Sequence, residues 1–364
     1  MTPHGVIETP AFLPVGTYGA VRGMDPDELR EIGVQAILAN TYHLHLRPGE
    51  QVVGQLGGLH GFMGWERPIL TDSGGFQIFS LDHLCECTDD GVRFRSALDG
   101  SQEFLSPERC IEIQERLGAD LIVTLDQFEP VSEGDSTSSG ATRARALAER
   151  TLAWAERSQA VASRRDQLLF GIVQGGGSTE LRREFAERTG DLDFEAFAIG
   201  GLGIGEPPEV RATLVEATVA RLPFEAPRYL MGVGMPQDLI EAVERGIDLF
   251  DCVVPTRHAR HGSVFTRAGR LHVRNAAGRD DGSPLDPDCP CRVCQRFSRA
   301  YLCHLIRSKE MLGSRLLTYH NLAYFMNLFR EMRAAIEENR FRTWATEWRE
   351  AYCAGPSSAT HSAA

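Results

Sequence analysis

Ile247-Asp248-Leu249-Phe250-Asp251-Cys252-Val253-Val254-Pro255-Thr256-Arg257-His258-Ala259-Arg260-His261-Gly262 is the stretch that decides how this chain is read. A short apolar run carries Asp251 to its end, a proline turn follows, and two arginines stand three residues apart. This is the pattern of a buried strand that delivers one carboxylate to a site and passes directly into a loop suited to phosphates. The plainer reading makes Asp251 a cap and the arginines solvated surface, so the context has to decide.

Working outward, the same unit recurs: an apolar run ending on a polar residue or glycine, then a helical segment. The runs are residues 12–15, 35–40, 69–72, 121–126, 169–174, 197–201, 229–234 and 249–251, eight in all. Continuous apolar runs alternating with helices indicate parallel strands buried on both faces. Eight units predict a closed (β/α)8 barrel, with chemistry at the carboxyl ends of its strands. Those ends are Asn40, Asp72, Asp126, Gln174, Gly200-Gly201, Gly232 and Asp251. An open doubly wound sheet is the alternative, but Gly200-Gly201-Leu202-Gly203-Ile204-Gly205 lacks the dinucleotide-loop order.

Helix starts are marked by Asp25-Pro26 and Ser106-Pro107, each a capping side chain before a proline; Gly118 stops the second helix. Glu206-Pro207-Pro208 and Met235-Pro236 open two more, and residues 142–158 read as amphipathic. Past Asp251 the pattern changes. Residues 264–274 read as a hairpin, and helices are expected near 295–316, 321–338 and 341–352. The expected organisation is a barrel body over 1–260, a hairpin, metal-binding subdomain and C-terminal helices over 261–352, and a disordered tail over 353–364.

Composition narrows the class. Hydrophobic residues make up 42% and charged residues 24%, as in soluble globular proteins. No apolar run approaches the roughly 20 residues a bilayer requires. The start, Met1-Thr2-Pro3-His4-Gly5, has no secretory pattern. Nine cysteines, an odd number, argue for a reducing cytoplasm over a disulfide framework. A net charge of −12 argues against a general nucleic-acid binder. Charge is uneven, however: residues 257–279 hold six arginines, three histidines and no acid.

Two constellations carry chemistry. Cys289-Pro290-Cys291-Arg292-Val293-Cys294 followed by His320 supplies three thiolates and an imidazole, a closed tetrahedral set suited to one structural zinc ion. Thr71-Asp72-Ser73-Gly74-Gly75-Phe76-Gln77 places a carboxylate before a glycine pair that lets a flat ligand approach the main chain; a capped strand-to-helix turn is its plain alternative. Asp126 and Gln174 add an acceptor and an amide suited to the edge of a purine. His43-Leu44-His45 is a rival signal for a metal-dependent barrel hydrolase, although the middle strand ends offer no further histidine. Cys85 and Cys87 read as free thiols in a loop.

With these motifs, Gly200-Gly201-Leu202 and Met231-Gly232-Val233-Gly234 in this order, the chain resembles bacterial-type tRNA-guanine transglycosylases from about Thr2 to about Tyr352. The resemblance implies a zinc-carrying barrel, cytoplasmic and homodimeric. Its reaction exchanges guanine at the wobble position of GUN anticodons in tRNA for 7-aminomethyl-7-deazaguanine. It further implies Asp251 as nucleophile and Asp72 as general acid/base. Asp72, Ser73, Phe76, Asp126, Gln174, Gly201, Leu202 and Met231 would bind the base, with Phe76 and Met231 sandwiching it. Arg257 and Arg260 would grip the anticodon loop, and Cys289, Cys291, Cys294 and His320 would hold the zinc.

Some positions depart from the family pattern. The hairpin that precedes the position of Thr2 in the family is expected to be missing. Phe128 stands where cysteine is usual, His261 where asparagine is usual, and bulky Ile204 favours the smaller deazaguanine over queuine. A non-catalytic RNA-binding partner subunit is a competing expectation, opposed by the presence of both Asp72 and Asp251. Archaeal-type exchange would call for extra C-terminal domains.

Overall fold

The computed structural model describes residues 1–81, 85–131 and 138–353. The expected disorder of the tail falls, from residue 354 on, outside the described residues. The chain divides into two compact units. One comprises Met1–Val21, Gln35–Val233 and Glu241–Cys252; the other comprises Arg22–Val34, Gly234–Ile240 and the chain from Val253 on.

The first unit is a barrel. Its eight strands are Ala11–Pro14, Ile37–Ala39, Ile69–Thr71, Leu121–Val123, Leu168–Val173, Ala196–Ile199, Arg228–Leu230 and Leu249–Cys252. They form one sheet in which the eighth strand pairs in parallel with both the seventh and the first, Leu13 lying opposite Asp251. A bridge from Val15 to Leu38 closes the ring between the first and second strands, so the open-sheet alternative is excluded. Leu13, Leu38, Leu70, Val123, Phe170, Ile172, Ala198 and Tyr229 fill its interior. Strands walled by such side chains inside and by helices outside have no polar face, which is why they read as unbroken apolar runs.

The helices begin where the sequence marks them. Ser106 Oγ accepts the Arg109 N–H at 3.1 Å ahead of the helix Pro107–Leu117, and Gly118, at φ 75°, ends it in the left-handed region. Ser178 caps Thr179–Gly190 in the same way. The amphipathic stretch is one helix, Ser138–Val161. An antiparallel sheet of Glu86–Thr88, Gly91–Arg95 and Gln102–Leu105 has no counterpart in the sequence reading. Cys87 lies in its first strand rather than in a loop, and neither Cys85 nor Cys87 forms a disulfide among the described residues.

The second unit contains the hairpin Ser263–Thr266 with Gly269–His272 and the helices Pro26–Glu31, Val254–Arg260, Arg292–Arg296, Arg299–Arg307, Met311–Glu337 and Phe341–Cys353. Two expectations change here. The helices expected at 295–316 and 321–338 are instead two short helices and one long one that runs unbroken through residues 317–320. The segment after Asp251 is a short helix with Pro255 in its first turn, not a loop. That helix sets Arg257 and Arg260 three residues apart, on one side.

Candidate active site and metal centre

The carboxyl ends of the barrel strands bring the acids together. Asp72 follows the third strand directly and is buried. Its Oδ1 accepts the Thr41 N–H at 2.8 Å, and its Oδ2 accepts from Asn40 and, at 2.9 Å, from Gln77 Nε2. These three donors favour the ionised form, yet burial outweighs them and, with the charge of Asp251, holds Asp72 up at about 6. Asp251 sits inside the eighth strand. Its Oδ1 accepts from Tyr229 Oη at 2.6 Å and from the Gly232 N–H at 2.9 Å. Burial raises its pKa against those two bonds.

A second cluster surrounds Asp126, which burial pushes up to about 6. Gln174 Nε2 donates to its Oδ2 at 2.7 Å, and Ser73 Oγ donates to Oδ1 at 3.4 Å. Side chains at the sixth strand's end would push the Gln174 amide out of place. A Cβ on Gly200 would stand 2.4 Å from Gln174 Nε2 and 3.2 Å from Asp126 Oδ2. Gly201, at φ 73°, would place one 2.5 Å from Gln174 Oε1. Leu202 is buried in the next position, and Met231, after the seventh strand, is partly exposed. Phe76, on the helix Gly75–Leu81, is 48% exposed and stacks on Phe128 at 5.4 Å between ring centroids.

In the second unit, Arg260 is held below its ordinary value, first by burial and then by the charges of Arg22 and Arg257. Cys289, Cys291, Cys294 and His320 converge, with His320 Nδ1 at 3.9, 3.5 and 3.3 Å from the three sulfurs in turn. His320 Nε2 donates to the Phe265 carbonyl at 2.9 Å, which leaves Nδ1 as the lone pair facing the sulfurs. Three thiolates packed this closely repel one another, and a cation among them offsets that repulsion. The donor set fits a metal ion in a closed site.

The sequence reading missed four supporting residues. Asn40 stood among the strand ends without a role, and Gln77 was quoted without one. Tyr229 looked like core. Arg182, fully buried, holds the Gly200 carbonyl at 2.8 Å through Nη1 and the Gly176 carbonyl at 3.1 Å through Nε. A buried arginine on a carbonyl cradle fixes the backbone around Gln174 and Gly201. The rival histidines are otherwise engaged: His45 Nδ1 lies 2.8 Å from Glu50 Oε2, and neither His43 nor His45 belongs to a converging metal-donor cluster among the described residues.

Comparison with known proteins agrees with this geometry. The family model described as queuine tRNA-ribosyltransferase matches residues 1–354. Relatives named queuine tRNA-ribosyltransferase include one from Halothermothrix orenii, 52% identical over 352 residues, covering 96% of this chain and 92% of the relative. One from Caldanaerobacter subterraneus subsp. tengcongensis is 51% identical, covering 96% and 92%. One from Francisella tularensis subsp. novicida is 47% identical, covering 95% and 93%. This chain, with Asp72 and Asp251 at its barrel mouth and a Cys3His cluster, belongs to the queuine tRNA-ribosyltransferase family.

Proposed function

We propose that this chain is a tRNA-guanine transglycosylase. It exchanges guanine at the wobble position of GUN anticodons for 7-aminomethyl-7-deazaguanine, a step towards queuosine. The observation that carries this reading is the pair of carboxylates at one barrel end, Asp72 buried just after the third strand and Asp251 half-buried in the eighth, with the charge of Asp251 acting on Asp72. Exchange with retained ribose configuration takes two displacements, so one carboxylate must attack carbon while another group handles protons.

Both hydrogen bonds to Asp251 fall on Oδ1, which leaves Oδ2 to attack the ribose anomeric carbon. The C1′–N bond breaks, its electron pair departs with guanine, and Asp72 donates the proton. The incoming base returns a proton to Asp72 as its ring nitrogen displaces Asp251. A carboxyl near pKa 6 is suited to both directions. Ser73, Asp126 and Gln174, with the Gly201 amide and Leu202 carbonyl, would read the base edge, between Phe76 and Met231. Arg257 and Arg260 would hold backbone phosphates of the anticodon loop, so binding should weaken with salt.

Cys289, Cys291, Cys294 and His320 would hold one structural zinc ion. Asn321, beside His320, ties this centre to the arginine helix. Its Nδ2 donates to the Pro255 carbonyl at 2.9 Å and to the Ser263 carbonyl at 3.1 Å. A second copy of the chain completes the expected homodimer, and the tRNA substrate places it in the cytoplasm. The non-catalytic-subunit and hydrolase readings are not favoured, because both carboxylates are present and the relatives bear the transferase name.

The deciding experiment measures incorporation of labelled guanine into tRNA. Wild type should exchange and form a denaturation-resistant RNA–protein adduct. Asp251→Asn should do neither; unimpaired exchange by that variant would remove the mechanism.

A further inference from the structure

At the opposite end of the same barrel, Asp120 lies one residue before the strand Leu121–Val123, its side chain 1% exposed. His4 Nδ1 is 2.7 Å from its Oδ1, and His60 Nε2 is 3.1 Å from its Oδ2. The two imidazoles stack with centroids 3.5 Å apart and planes 13° apart. The Ile69 N–H donates to Oδ2 at 2.9 Å and fixes the carboxylate in the barrel floor.

The ion-pair partners of Asp120 named above are both histidines. Arg164 is within its field but is engaged with Asp166, at 2.6 Å, and with the Glu115 carbonyl, at 2.9 Å. A buried carboxylate with an imidazole nitrogen at each of its oxygens brings three metal-donor atoms together.

We propose that His4, His60 and Asp120 form a second divalent-metal site, for zinc, separate from the Cys3His centre. The three ligand atoms lie within 4.8 Å of one another. Two imidazoles and a carboxylate suit zinc, and exposed His4 leaves the remaining coordination positions to water. Asp120 Oδ1 is the ligand oxygen, because Oδ2 keeps its bond to Ile69. Parallel rings aim their lone pairs side by side, so binding requires the imidazoles to splay. His4 can do so because it sits in the exposed Thr2–Gly5 turn. The ion would staple residues 1–7 to the barrel floor, away from Asp72 and Asp251, and would have no part in the exchange reaction.

The test equilibrates the full-length protein, Cys3His site filled, with micromolar free zinc and counts bound metal by mass spectrometry. Wild type should hold two zinc ions per chain; His4→Ala and Asp120→Asn should each hold one. Amide exchange in residues 2–7 should slow with zinc in wild type only. His4→Ala removes an exposed side chain and guards against misfolding as the cause. Wild type stopping at one ion would overturn the proposal, as would a second ion that survives in both variants. So would protection of residues 2–7 that follows pH alone, which would mark a hydrogen-bonded clasp without metal.

Discussion

Tyr229 Oη lies 2.6 Å from Asp251 Oδ1, joining a side chain of the seventh barrel strand to the acid of the eighth. The hydroxyl is buried and favours the ionised carboxylate, opposing the burial that raises its pKa. Tyr229→Phe keeps the ring that packs in the barrel interior and removes only that bond. Hydrogen bonds to charged groups are worth about 1.5–3 kcal/mol, so exchange should fall roughly ten- to a hundredfold. With Asp251 ionising at higher pH, the acid limb of the rate profile should shift upward. A pH–rate profile of both proteins checks this; an unshifted acid limb would show that Tyr229 only packs.

Burial of Asp126 predicts a stability effect of definite sign. Its folded pKa, about 6, exceeds the ordinary value of 3.8, so folding favours the protonated form. The cost is absent below the unfolded pKa, grows as pH rises through about 4 to 6, and is full above that. At about 1.36 kcal/mol per unit it is at most about 3 kcal/mol. Asp126→Asn should therefore unfold at higher urea concentration than wild type at pH 7.5, with the gap closing near pH 4, while base binding is lost. A gap independent of pH would refute the assignment.

The barrel was legible because burial on both faces leaves a strand no polar residue until it emerges. Asp72, Asp126, Gln174 and Asp251 stood out for the same reason. What stayed hidden depends on pairing across strands. Tyr229 occupies an apolar run, and only the parallel register with the eighth strand brings its hydroxyl to Asp251. The sheet of residues 86–105 escaped because its strands are short and half exposed. The sequence reading takes the long helix as two, ending at 316 and resuming at 321, with Thr318, Tyr319 and His320 in the gap. In the fold His320 and Asn321 are fully buried, one facing the sulfurs and the other bonded to carbonyls, so the polar residues sit inside the helix.

That placement makes Asn321 a target. Beyond its two donated bonds, its Oδ1 accepts the Phe265 N–H at 3.1 Å. Asn321→Ala removes three hydrogen bonds to buried backbone groups, at about 0.5–1.5 kcal/mol each. Thermal unfolding should fall by several degrees. tRNA affinity should drop because the Val254–Arg260 helix loses its tether, while one zinc per chain is retained at the cysteines. Filter binding and metal analysis separate these outcomes, and undiminished tRNA affinity would show that the helix is held by other contacts.

Phe128 bears on the proposed base pocket, at a position where the family resemblance implies cysteine. Its ring stacks on Phe76 at 14° between planes and meets Phe79 edge-on at 6.0 Å, so three aromatic rings brace one another beside Asp126. If Phe76 is the platform for the base, Phe128 holds it upright. An aromatic pair is worth about 0.5–1.5 kcal/mol, so Phe128→Cys should raise the KM for the incoming base about two- to tenfold. kcat should stay nearly unchanged, because Asp72 and Asp251 are untouched. The opposite result, a lower KM, would mean that Phe128 occupies the face of Phe76 that the base needs and must be displaced on binding. Labelled-guanine exchange, with competing 7-deazaguanines added in turn, distinguishes the two and shows which base the braced pocket prefers.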